Sequence, residues 1–158
     1  MGSDGAPYRI RLARASDLPA LPGIERAANA LFREVGLDEL FATVLTDAGD
    51  LARACAERRL WVATGRDEAP VGFALASIVG ENAHLDELDV HPDHGRRGLG
   101  AALVREVLAW ARASDLPAVT LTTLRDVAWN APFYERLGFR VLGPGERGAI
   151  LDEILREE

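Results

Sequence analysis

Hydrophobic and polar residues change their spacing several times along the chain, and each change marks an element. Residues 8–13, YRIRLA, alternate polar with apolar, the period of a strand with one buried face. A helical spacing follows through Ile24, Ala27, Ala28, Leu31 and Phe32. Ser16 is the expected N-cap, with Asp17 in the first turn. Pro19 is tolerated that early, and Pro22 kinks or delays the helix. Gly36 breaks the pattern, and a second helix is expected over residues 47–58. Residues 60–65 read as a strand, 66–70 as a hairpin turn, 71–79 as a buried strand and 83–90 as another strand. The next helical stripe aligns Leu99, Leu103, Val107 and Trp110, with Val104, Leu108 and Ala111 beside them. Residues 118–123 form a short buried strand. In WNAPFYERLGF, Asn130 caps a helix, Pro132 sits in its first turn and Gly138 ends it. FRVLG is a strand, and the pairs Ile150–Ile154 and Leu151–Leu155 point to a C-terminal helix. The order β α α β β β α β α β is a mixed α/β (α+β) layer arrangement, largely antiparallel in its first half.

Length and composition narrow the picture. A chain of 158 residues, 48% apolar and 27% charged, suits one globular domain, residues 8–158, behind a flexible arm at 1–7. A net charge of −7 argues against a nucleic-acid surface and against an anionic membrane. It is compatible with an amine substrate, although solubility alone accounts for it. All 18 basic residues are arginine, so the chain has no lysine side chain to be acylated. Cys55 is the only cysteine; it sits in a helical segment, where packing is its expected use. One cysteine, no leader-like segment and no spanning run point to the cytoplasm.

The stretch HPDHGRRGLGAAL, from His91 to Leu103, then becomes informative. Gly95, Gly98 and Gly100 can shape a concave turn with amide N–H groups pointing inward, a nest for an anion. The helix that follows adds its own unpaired N–H groups and the positive end of its dipole. Arg96 and Arg97 add charge-assisted donors. The notch suits a diphosphate. A Walker loop is excluded because there is no lysine, and the dinucleotide fingerprint GxGxxG fails because the spacing here is GxxGxG after a fourth strand.

VHPDHGRRGLGAALV resembles the acetyl-coenzyme A motif of the GNAT superfamily of N-acetyltransferases, and WNAPFYERLGF resembles that family's second signature. Both stand in the family's order and spacing, over residues 61–139. The family's usual Gln or Arg falls on Gly95, leaving Arg96 and Arg97 to supply the side-chain contact. The resemblance implies a twisted, mostly antiparallel mixed sheet flanked by helices, with a splay between strands 4 and 5. It implies acetyl-coenzyme A as cosubstrate, held by Gly95, Arg96, Arg97, Gly98, Leu99, Gly100 and Ala101, by the strand edge at Leu88 and Val90, and by Asn130. Tyr134 is, by resemblance, the acid that protonates the departing thiolate. The family usually ends in a two-strand hairpin, whereas this chain ends in a helical pattern, so the last strand is expected to be absent and a homodimer could cover the free edge.

The base stays open. In HLDELD, strand alternation puts His84 and Asp86 on one face and Glu87 and Asp89 on the other. Glu87 is the first choice, because burial beside the splay would raise its pKa; Asp86 and His84 follow, and water is the alternative. The substrate walls are expected from residues 29–41, including Phe32 and Phe41, with Arg125, Asp126 and Trp129 near the splay. The function so implied is transfer of an acetyl group to a small-molecule or peptide amine. Two rival readings exist: a non-catalytic acyl-coenzyme A binding module, and a metal protein built on His84, His91 and His94. No metal is expected, since the resemblance explains the histidine-bearing loop without one.

Overall fold

Among the described residues, strand-forming segments make one sheet of five strands: β1 (Arg9–Leu12), β2 (Leu60–Thr64), β3 (Pro70–Val79), β4 (Asn82–Val90) and β5 (Val119–Thr120). They come from a computed structural model that describes residues 8–30, 45–95, 97–121 and 131–139. The strands lie in sequence order; the first three pairings are antiparallel and β4–β5 is parallel. Helices α1 (Leu21–Asn29), α2 (Ala48–Ala56), α3 (Leu99–Ala113) and α4 (Ala131–Arg136) flank it. The mixed, mostly antiparallel sheet expected from the sequence is therefore present.

Each face of the sheet carries its own core. Leu21 and Ile24 of α1 and Leu51 and Ala54 of α2 pack on Leu60, Val62, Phe73 and Leu75. Leu99, Leu103, Val104 and Val107 of α3 pack on Trp61, Ala63, Ala74, Ala76 and Leu85 across the other face. Trp110, expected within the stripe of α3, sits half-buried at its margin, edge-on to Trp61 at 5.7 Å. Cys55 packs beside the first core and its thiol donates to the Ala13 carbonyl.

Several local expectations change. Ser16 is not the cap: residues Ala15–Ala20 form a 3₁₀ helix, and it is the Asp17 carboxylate that accepts the Arg14 N–H at 2.7 Å. Burial pushes the Asp17 carboxyl up, but its hydrogen bonds from Arg11 and Arg14, and their charges, outweigh this and hold it below the usual range. Pro22 delays rather than kinks. α1 starts at Leu21, so Pro22 occupies the first turn, where its missing N–H is not needed. The strand at 139–143, the C-terminal helix and the absent last strand rest on residues beyond 139, outside the described residues, as do the arm at 1–7 and Gly36.

One irregularity positions everything that follows. In the β3–β4 ladder Leu75 pairs with Glu87 and Ala76 with Leu85, so Asp86 is an extra residue, a β-bulge. A bulge bends its strand and increases the twist. The parallel pairing of β4 with β5 covers only Ala83–Val119 and His84–Thr120 and stops one residue short of the bulge. From Leu85 to Val90 the outer edge of β4 has no strand partner among the described residues, and this is the splay.

Candidate active site

The bulge overturns the simple alternation along HLDELD. Ser77 pairs with His84, Leu75 with Glu87 and Phe73 with Asp89, and these β3 residues all face α1 and α2. Asp86 hydrogen-bonds to Ser77 on that side as well. The four polar side chains thus share one face instead of dividing two and two. Leu88 and Val90, paired with Ala74 and Gly72, pack on the α3 side.

On the α1 side, carboxylate oxygens of Glu25, Glu87 and Asp89 all lie within 4.8 Å of one another. Glu25 is 3% exposed and accepts the Thr46 N–H at 3.0 and 3.1 Å and the Thr46 hydroxyl at 3.0 Å. Three close carboxylates cannot all ionise cheaply. Burial pushes Asp89 well above the carboxylate range, and its hydrogen bond to Glu87 and the charges of Glu87 and Glu25 push the same way. Asp89 is therefore the group that keeps a proton, which it donates to Glu87. Its Oδ2 has no hydrogen-bond partner. Burial also raises Glu87; the hydrogen bond with Asp89 opposes this, and the Glu25 and Asp86 charges add to it. Glu87 is half-buried, and a carboxyl raised in this way is a stronger base than an ordinary glutamate.

Asp86 stands on the exposed side of the same group, its carboxyl also raised by burial, against a hydrogen bond from Ser77. It lines a cleft of about 350 Å³ with Thr46, Asp50, Arg53, Arg59, Leu75 and Ser77. His84 is committed elsewhere. It is 3% exposed, and its Nδ1 meets the Thr120 hydroxyl at 2.8 Å, clasping β4 to β5 at their last pair.

Tyr134 lies on α4, edge-on to Phe133 at 5.0 Å and to Phe139 at 5.8 Å. Burial raises its phenol well above the ordinary tyrosine range, and the charges of Asp89 and Glu87 add to the rise. The phenol keeps its proton at every working pH. Gly138, with φ +99°, ends the helix as expected.

The notch follows directly on the C-terminal end of β4. A single 3₁₀ turn, Pro92–His94, leads through Gly95 to Gly98, the residue before α3. Only Gly98 uses glycine's conformational freedom, with φ +77°. Gly95 has φ −70°, open to any residue. Gly100 serves contact, because a Cβ there would come within 3.3 Å of Phe133 Cζ. The notch's shape therefore comes from one glycine, not three. Among the described residues no side chain caps α3, so the first-turn amides of Leu99, Gly100 and Ala101 are unclaimed by a cap there. Arg97 is exposed beside them. These amides, Arg97 and the free β4 edge at Leu88 and Val90 fit a diphosphate with an extended amide-bearing arm. Arg96, Asn130, Arg125, Asp126, Trp129, Phe32 and Phe41 lie outside the described residues.

The histidines do not converge. His91 and His94 have ring centres 6.3 Å apart, His94 bonds Tyr8, and His84 bonds Thr120. Two residues escaped the sequence reading altogether. Glu25 was one apolar-helix acid among many, and Tyr8 stood only as the first residue of a strand. Neither carried a local signal, since both contacts are made across the fold.

Residues 22–139 match the model of the acetyltransferase (GNAT) family. The chain is 34% identical over 110 residues to the peptidyl-lysine N-acetyltransferase YjaB of Escherichia coli, covering 69% of each chain. It is 29% identical over 160 residues to the streptothricin acetyltransferase of Streptomyces lavendulae, covering 88% of this chain and 85% of the other. Its fold is similar to that of the PaiA N-acetyltransferase from Thermoplasma acidophilum, crystallised with coenzyme A: the TM-score is 0.71 at 18% identity, over 89% of this chain and 95% of that one. The family match spans both the loop before α3 and the helix bearing Tyr134, so this chain belongs to the GNAT acetyltransferases.

Proposed function

We propose that the protein acetylates a primary amine by direct attack, with Glu87 as base and Tyr134 as acid. The observation that carries the reading is the placement of two half-buried groups, the Glu87 carboxyl and the Tyr134 phenol, near enough for the charge of Glu87 to act on the phenol. Burial raises the Glu87 carboxyl above the ordinary glutamate range and makes it a stronger base, while burial and the neighbouring acids keep the Tyr134 phenol protonated. The acceptor approaches from the cleft at Asp86 and loses its ammonium proton to Glu87, directly or through one water. The neutral amine attacks the thioester carbon, the carbon–sulfur bond breaks, and Tyr134 gives its proton to the departing sulfur. Holding the two substrates side by side supplies much of the rate, so no covalent enzyme intermediate is required.

The diphosphate rests on the amides of Leu99, Gly100 and Ala101 with Gly95, Arg96, Arg97 and Gly98 around it, and the pantetheine arm runs along Leu88 and Val90. Asn130 keeps its place in this set by resemblance. The acceptor is a peptide or small-molecule amine; YjaB is named for peptidyl lysine and the Streptomyces relative for streptothricin. We take residues 8–158 as one catalytic domain working in the cytoplasm. Among the described residues no helix is long and apolar enough to cross a membrane.

Replacing Tyr134 with Phe should lower kcat by about 10²-fold or more while acetyl-coenzyme A binding holds. Glu87→Gln should lower kcat/KM comparably and remove the rise of rate with pH. That rise follows from the sign of the shift: the base works ionised, so activity grows as pH passes upward through the raised Glu87 pKa. Thiol release across a panel of amines measures both, and an unchanged Tyr134→Phe rate would remove the phenol from the mechanism.

A further inference from the structure

We infer that Tyr8, at the start of β1, is a positioning residue for the diphosphate loop, holding it from outside through His94 and Arg97. The inference rests on the reading of that loop as the acetyl-coenzyme A site. Residues 92–95, 97 and 98 are mostly exposed, and the backbone bonds of His94 and Gly95 are short-range: His94 N–H to the His91 carbonyl at 2.9 Å, and Gly95 N–H to the Pro92 carbonyl at 3.1 Å. The Asp93 N–H donates to His91 Nδ1 at 3.1 Å, again inside the loop. The loop is pinned at its start, where His91 N–H meets the Val71 carbonyl at 2.8 Å, and at its end, where Leu99 enters the core. Between these points, among the described residues, the contacts of His94 and Arg97 to the body of the fold fall on one side chain. The Tyr8 hydroxyl meets His94 Nδ1 at 2.8 Å, and the Arg97 guanidinium carbon lies 5.9 Å from the centre of the Tyr8 ring.

These two contacts bracket the stretch that must stay shaped for the amides of α3 to converge on a diphosphate. A loop ordered before binding loses less freedom on binding and holds its ligand tighter. Tyr8 is itself anchored, packing against the α3-side core. It can therefore restrain the loop without touching the ligand. Its hydroxyl acts on His94 alone, while its ring meets Arg97 and, edge-on at 5.6 Å, His94, so removing the hydroxyl isolates the hydrogen bond.

Tyr8→Phe keeps the ring under Arg97 and removes the bond to His94. Tyr8→Leu removes both. By calorimetric titration with acetyl-coenzyme A, Tyr8→Phe should weaken binding about three- to tenfold, and Tyr8→Leu by about two- to fivefold more. At saturating acetyl-coenzyme A, kcat should stay within about twofold of the parent, because the loop contacts of Tyr8 are to His94 and Arg97 and not to Glu87 or Tyr134. The deciding variant is His94→Ala combined with Tyr8→Phe. If the hydroxyl acts through His94, the loss from Tyr8→Phe disappears in the His94→Ala background; additive losses overturn the coupling. A fall in Tm with unchanged acetyl-coenzyme A affinity makes Tyr8 a packing residue and overturns the inference. Absence of binding by the parent protein overturns the cofactor site itself, whereas parental binding with unaltered variants overturns Tyr8 alone.

Discussion

Asp89 shows how one side chain acquires chemistry from its neighbours. Its backbone pairs with Phe73, its carboxyl is 8% exposed, and Glu87 and Glu25 lie beside it. A carboxyl whose folded pKa is raised binds its proton more tightly in the native state than in the unfolded one. Its contribution to stability is therefore full below the unfolded carboxylate pKa and lost as pH rises through the folded value. Asp89→Asn keeps the shape and removes the cost of taking up a proton on folding, so the variant should be more stable than the parent at neutral pH, with a flatter dependence of stability on pH. Urea unfolding from acid to mildly alkaline pH measures this, and a variant less stable at neutral pH would show that Asp89 is needed as a carboxyl. The residue types here could be read from HLDELD, and Glu87 with them. What could not be read was that Glu25, 62 positions away in the chain, completes the group (87 − 25).

The element that matters most is β4, and within it the bulge at Asp86. Strict alternation separates Asp86 from Glu87; the extra residue brings both to the acceptor side and bends the strand where β5 departs. The strand was visible as a hydrophobic–acidic run, but a bulge is decided by the register with β3, and HLDELD permits either register. The loop before α3 tells a similar story. Its glycines stood out in the sequence, yet only Gly98 occupies the left-handed region. Gly98→Ala should cost about 1–2 kcal/mol of stability and weaken acetyl-coenzyme A binding, whereas Gly95→Ala should leave both nearly unchanged. Gly95 has an ordinary φ, and an added Cβ would come no nearer than 3.4 Å to the Pro92 carbonyl. Paired urea curves and titrations test the contrast; equal losses at the two positions would mean that the loop needs both glycines.

At the scale of the molecule, two cores share one sheet. Phe73 faces α1 and α2, Leu103 belongs to α3, and both are fully buried. Phe73→Ala should cost about 3–5 kcal/mol and Leu103→Ala about 2–5 kcal/mol. Because β2 and β3 belong to both cores, each loss should appear in a single transition, the same by tryptophan fluorescence and by circular dichroism. Two separated transitions would mean that the faces unfold independently. The amino-acid sequence alone determined the element order, the stripe of α3, the glycine–arginine loop and the tyrosine-bearing helix, because each is written in local spacing and residue type. Only the tertiary structure decided which acids share a face, which glycine the loop requires, that His84 closes the sheet, and that Tyr8 reaches His94. Those outcomes depend on strand register and on contacts between distant segments, and no local pattern in the chain encodes them.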